Sequence, residues 1–153
     1  MIIESKHFGE VEIDQDKVLN FQHGLLGLTE YKNFTILYDS EDDHPIISWL
    51  QSTEEKDFAL PIINPLLVLE DYNPTIEDEL LTELGELKEE NLLVFNVVVI
   101  PDDITKMTTN LKAPIVINTD TKKGRQVIVE NEDYEIKFPL YKELKKFKGK
   151  AGE

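Results

Sequence analysis

The chain contains no cysteine. That absence excludes a disulfide framework, a thiolate metal site and a cysteine nucleophile, and it fits a reducing compartment. Long apolar runs are absent too. The longest, Leu92 to Ile100, is broken by Asn96 and falls short of the roughly 20 residues that cross a bilayer. The opening Met-Ile-Ile-Glu-Ser-Lys lacks a basic stretch followed by an apolar one, so no secretion signal is expected there. The expectation is an intracellular, soluble protein with no membrane partner. Positive charge is scarce: 16 lysines and arginines face 31 aspartates and glutamates, for a net charge of −15. Such a field repels nucleic acid, whose affinity rests on cations set against phosphates. It attracts a basic partner and speeds the encounter. An acid surplus also keeps a small protein soluble, and charge alone does not choose between these readings.

Catalytic signatures are missing as well. The histidines are His7, His23 and His44. No pair has the i, i+4 spacing of a helical zinc site, and none stands in a His-Glu-x-x-His context. There is no Gly-x-Ser-x-Gly elbow. Gly24-Leu25-Leu26-Gly27 is no phosphate loop, because neither Lys-Ser nor Lys-Thr follows it. Asp42-Asp43-His44 offers cation ligands, but a polar turn explains the same residues. Glu70-Asp71 and Asp102-Asp103 are carboxylate pairs of the kind a very acidic chain produces by chance. Lys122-Lys123-Gly124-Arg125 reads as a solvated hairpin tip, with phosphate contact as the other option. The expectation is a binding protein with no cofactor and no metal. A small β-barrel hydrolase is the enzymatic alternative.

What is present is a domain-sized chain of 153 residues, 41% hydrophobic, enough for one core. Charge is uneven along it. From residue 142 onward five lysines stand against two glutamates, leaving +3 there and −18 in the body. Residues Ile2 to Lys6 and Val11 to Ile13 read as a hairpin turning at Gly9, with Ile3 and Ser5 on the face opposite Ile2 and Glu4. Val18 to Phe21, Phe34 to Tyr38, Ile46 to Gln51 and Phe58 to Ile63 read as strands between charged turns, with Pro61 at an edge or bulge. Thr75 is a candidate N-cap. The spacing of Ile76, Leu80, Leu81 and Leu84 then predicts a helix over 76–84, ended by Gly85. Leu92 to Ile100 looks like the most buried strand. Tyr134 to Phe138 alternates as a last strand, closed by Pro139. About nine short strands and one helix, with no internal repeat, predict a mainly β fold: a single antiparallel β-barrel-like or sandwich domain.

The stretch from Met107 to Val129 is the most distinctive. Ile115-Val116-Ile117 and Val127-Ile128-Val129 are β-branched runs suited to paired strands. Pro114 marks a strand start, and Gly124 supplies a turn with positive φ. Met107-Thr108, Asn110-Leu111, Ala113-Pro114-Ile115-Val116-Ile117-Asn118 and Lys123-Gly124-Arg125-Gln126-Val127-Ile128 resemble the signature of the FliW family of flagellar assembly factors. Phe8-Gly9, Phe21 with Gly24-Leu25 and Gly27, and Tyr134 followed by Pro139-Leu140 fit the same pattern. The resemblance covers residues 1–141 and leaves 142–153 as a basic tail, either a frayed helix or disordered. Leu144 and Phe147 there are spaced for an amphipathic turn.

The resemblance implies a mainly β-barrel-like fold with a short helical element. It also implies two cytoplasmic protein partners, flagellin and the basic RNA-binding translational regulator CsrA. Free protein antagonises CsrA and so relieves repression of flagellin synthesis. Accumulated flagellin captures the protein and restores repression. CsrA is contacted away from its RNA surface, and this protein touches no nucleic acid. Candidate contacts on the signature stretch are Asn110, Lys112, Pro114 and Asn118, although strand edges and turns also explain Pro114 and Asn118. Leu25 and Leu26 are candidates for an amphipathic flagellin helix. The remaining alternatives are an acidic chaperone-like module without CsrA control and a nucleic-acid mimic that competes for CsrA directly.

Overall fold

The computed structural model describes residues 1–38 and 46–145. The hairpin forms first in sequence. β1 (Ile2–Ser5) pairs antiparallel with β2 (Gly9–Glu12). Ile3 and Ser5 are buried while Ile2 and Glu4 are exposed, as alternation across a strand requires. Gly9 takes φ +71° at the turn exit, a conformation that costs glycine nothing.

Seven strands then close a barrel. They are β3 (Leu19–Asn20), β4 (Asn33–Leu37), β5 (Ile47–Ser52), β6 (Ala59–Ile63), β7 (Leu92–Val99), β9 (Ile115–Asn118) and β10 (Lys123–Gln126). Neighbours pair antiparallel until the seam, where β10 meets β3 in parallel through Lys123 and Asn20. β8 (Thr108–Thr109) and β11 (Phe138–Pro139) extend the sheet beyond β7. This is the single mainly β, barrel-like domain that the sequence predicts, with a short helix between β6 and β7. Closure removes the exposed strand edges that invite aggregation.

Three apolar clusters hold it together. Phe21, Phe34, Leu50, Ile62, Ile115 and Ile117 fill the barrel, all fully buried. Side chains of this size each contribute about 1.5–3 kcal/mol on burial. Val116 points the other way, toward Leu84 and Val127, with Leu80 and Leu81 packed against them. β9 is therefore buried on both faces. Ile63, Val68, Val98, Met107 and Leu140 form the third cluster. The hairpin is tied to the barrel by buried Gln51, whose Oε1 accepts from Ser5 Oγ at 2.8 Å, and by His7 stacked 4.0 Å from Trp49.

Several local expectations change. The helix is short: α1 spans Asp78–Leu81 and passes into a 3-10 turn over Thr82–Leu84. Thr75 does not cap it. Its N–H donates to Asn131 Oδ1 and its carbonyl accepts from Glu130 N, so the backbone there is committed to a neighbouring segment. Gly85 ends the helical segment with φ +87°, as expected. β7 is less buried than its composition suggests: Leu92 is 40% and Val99 59% exposed. Each stretch of it is laddered to a single neighbour: Leu92–Phe95 pair with β9, Asn96–Val97 with β6 and Val98–Val99 with β8.

Gly124 is not the turn glycine. It lies within β10 opposite Ile117. The left-handed residue in that turn is Lys122, at φ 59°. β10 also stops at Gln126, before Val127 to Val129. The next ladder partner is Pro114, which has no N–H to donate. One-sided bonds continue from Val127 N to the Pro114 carbonyl and from Val129 N to the Lys112 carbonyl. Tyr134 to Ile136 do not form a strand either, and β11 holds only Phe138 and Pro139. Residues 141–145 are helical, and Leu144 packs on this chain's own third cluster. Phe147 and the rest of the basic end, 146–153, lie outside the described residues.

Candidate partner-binding surface

The signature stretch is mostly internal scaffolding. Asn118, at the end of β9, is 1% exposed. Its Nδ2 donates to the carbonyls of Leu84 and Glu86 at 2.8 and 3.2 Å. Its Oδ1 accepts from the N–H groups of Asp120 and Thr121. One side chain thus ends the helical segment and shapes the β9–β10 turn. Pro114 is buried at the start of β9. Asn110 is half-buried, and its Oδ1 accepts from Lys112 N and Ala113 N at 3.0 and 3.1 Å. The Lys112 ammonium is turned onto the Asn131 carbonyl. Leu25 sits in the barrel core at 2% exposure, whereas Leu26 is 48% exposed. Gly24 and Gly27, both with positive φ, let the loop reverse between them. Of the six candidate contacts, Leu26 alone presents a largely free side chain.

Sequence reasoning missed a clasp beside this stretch. Tyr72 and Tyr134 lie with ring centroids 4.8 Å apart. The Tyr72 hydroxyl donates to the Leu111 carbonyl at 2.7 Å, and Tyr134 Oη accepts from Asn73 N at 2.8 Å. Burial raises the Tyr72 phenol above its ordinary value; the Asn96 amide, donating to its oxygen, opposes this. With the Thr75 bonds to Glu130 and Asn131, the clasp fixes segment 69–75 against segment 130–135. Between them and β11 lies a groove of about 350 Å³. Leu69, Leu111 and Phe138 line it, with Asp71, Asp133 and Glu135. The acidic pair Glu70-Asp71 and the late tyrosine were legible signals. Their meeting was not, because some 60 residues separate them.

A second groove, of about 500 Å³, opens at one end of the barrel. Leu19, Ile36, Leu93 and Ile117 contribute its apolar part, and its charged residues carry both signs: Glu12, Asp14 and Asp16 with Lys17 and Lys122. His23 Nε2 is 2.8 Å from Glu83 Oε2, and Arg125 Nη1 is 3.4 Å from Glu83 Oε1. Arg125 also donates to the Leu80 carbonyl, so this member of the basic cluster braces the helical segment. Among the described residues no group of three or more histidine, aspartate or glutamate side chains stands close enough to hold a metal ion. The Asp42-Asp43-His44 turn lies outside the described residues. Among them, no helix is long and apolar enough to cross a membrane.

A closed seven-stranded barrel with a short helical segment and acid-bearing grooves defines the class, a single-domain β-barrel. The comparisons with known proteins narrow this class. The family described as FliW protein matches residues 2–140, and the chain belongs to that family of flagellar assembly factors. It is 54% identical to the flagellar assembly factor FliW of Lachnoclostridium phytofermentans, over 99% of this chain and 96% of the relative. It is 44% identical to that of Lachnospira eligens, over 95% and 98%. A crystal structure of a flagellar assembly factor FliW superposes with a TM-score of 0.82 at 29% identity, covering 92% of this chain and 96% of that one.

Proposed function

We propose that this protein is a cytoplasmic partner switch: it binds flagellin and, alternately, antagonises the basic translational regulator CsrA. No covalent step is involved. Free protein holds CsrA away from the flagellin message, and unexported flagellin withdraws the protein so that repression returns. The observation that carries the reading is an assembly-factor fold that is strongly acidic and also notched by grooves that mix apolar and charged residues. An acidic field raises the rate of encounter with a basic regulator. Apolar grooves suit the amphipathic helices through which many proteins are recognised. Exposed Leu26, on the loop between Gly24 and Gly27, is assigned to the flagellin contact. The absence of cysteine fits a reducing compartment.

The test uses labelled flagellin leader RNA bound to CsrA. Adding the protein is expected to release the RNA, and adding monomeric flagellin is expected to restore the complex. If the protein releases no RNA at saturating concentration, the switch is wrong and an assembly chaperone without CsrA control is left. A transient complex holding RNA, CsrA and the protein together supports action away from the RNA surface. Strict mutual exclusion supports direct mimicry.

A further inference from the structure

We infer that the groove between segments 69–72 and 133–138 is the docking place of a basic, amphipathic protein segment. That segment sets one bulky apolar side chain on Leu69, Leu111 and Phe138 and its lysines or arginines against the rim. Assigning the groove to the basic partner rests on the reading above. Three observations lead here.

The first is shape. The groove holds about 350 Å³, and half-buried Leu69 and Phe138 with buried Leu111 give an otherwise polar lining an apolar part, with room for a leucine- or phenylalanine-sized group. The second is charge. Asp71, Asp133 and Glu135 line it with no basic residue among the lining side chains. Glu70, Glu130 and Glu132 stand beside them in the two segments, against one base, the exposed Lys137. The nearby Lys112 ammonium is spent on the Asn131 carbonyl. The larger groove at the barrel end differs in this respect, since Lys17 and Lys122 stand among its acids. The third is rigidity. The tyrosine clasp and the hydrogen bonds at Asn73, Thr75 and Glu130 hold the walls in place. A preformed groove costs little ordering when it is filled.

The carboxylates of Asp71, Asp133 and Glu135 make no hydrogen bond or ion pair with the described residues, so reversing them leaves the fold intact. The experiment uses the full chain, isotope-labelled, and two synthetic amphipathic helical peptides: one of leucine and lysine, one with glutamate in place of lysine. The lysine peptide is expected to shift amide resonances around Leu69, Leu111, Tyr134 and Phe138, and the glutamate peptide to shift none. The double variant Asp133→Lys/Glu135→Lys is expected to bind the lysine peptide at least about tenfold more weakly at low salt, because like charges then face each other. Glu89→Lys/Glu90→Lys makes the same change in net charge on another surface and is expected to bind like wild type. The inference is overturned if the lysine peptide fails to bind, if its shifts map to the barrel-end groove, or if both double variants weaken equally.

CsrA, tested against the same variants, separates this inference from the broader reading. If wild type and Asp133→Lys/Glu135→Lys bind CsrA equally, the groove assignment falls and the switch stands. If wild type ignores CsrA while the lysine peptide still maps to the groove, the switch falls and the docking place stands.

Discussion

Adding a methyl group at Gly124 drives it into the Phe21 ring: an alanine Cβ there falls 2.5 Å from Cζ. Phe21 is fully buried at the centre of the barrel, so the ring has no free space to yield. Gly124→Ala is expected to lose about 1–3 kcal/mol, the usual cost of overpacking, read as a lower urea midpoint with an unchanged slope. A neutral result would show that the seam between β10 and β3 is looser than its contacts imply. Asn118 makes the complementary case. Asn118→Ala takes the acceptor from the Asp120 and Thr121 amides and one of two donors from the Leu84 carbonyl, which Thr121 Oγ1 also reaches. A buried polar group left unsatisfied costs about 1–3 kcal/mol. The variant is expected to be destabilised yet to bind its partners normally once folded. Calorimetry at a temperature where it remains folded checks this, and a selective loss of binding would make Asn118 a contact residue.

At the scale of elements, Glu54 joins two strands. Its Oε1 accepts from Lys32 N, Asn33 N and Asn33 Nδ2, at 3.0, 2.8 and 3.1 Å, tying the start of β4 to the turn after β5. The backbone bond from Lys32, the largest cause, holds the Glu54 carboxyl below its ordinary value. A lowered value in the folded state means that folding favours the ionised form. The resulting stability is complete above the ordinary carboxylate range and fades as pH falls through the lowered folded value. The stability gap between wild type and Glu54→Gln is therefore expected to be widest near neutrality and to close in acid. It is expected to be modest throughout, because Glu54 is exposed and solvent screens such interactions. A gap independent of pH contradicts the assignment.

Elements were also where the sequence was most and least legible. Alternation in β1, the β-branched run of β9 and the apolar face of Leu80, Leu81 and Leu84 each state a local rule that the fold obeys. The failures are places where a distant partner overrides that rule. Gly124 looked like a turn residue until Phe21, about a hundred positions earlier, explained it. Thr75 looked like a cap, but Glu130 and Asn131 claim its backbone. Tyr134 to Phe138 alternates like a strand, yet the clasp with Tyr72 holds its first residue. The candidate contacts suffered similarly. Asn110, Pro114 and Asn118 form a recognisable motif because they build the β9 region. Sequence shows that a motif exists before it shows whether the side chains face inward or outward.

For the whole molecule the governing quantity is a net charge of −15 spread over a closed barrel. Exposed charges act over about 8–10 Å at physiological salt, so association with a basic partner is expected to slow as ionic strength rises. Dissociation, governed by the apolar contact, is expected to change less. Stopped-flow rates over a salt series check this, and an on-rate indifferent to salt removes electrostatic steering from the account. The switch itself is tested most directly by one competition. The protein is titrated by calorimetry with CsrA, and monomeric flagellin is then added to the preformed complex. Saturable CsrA binding, followed by its displacement as flagellin binds, is the predicted result. Simultaneous, independent binding of both partners would contradict it, as would the absence of binding to either.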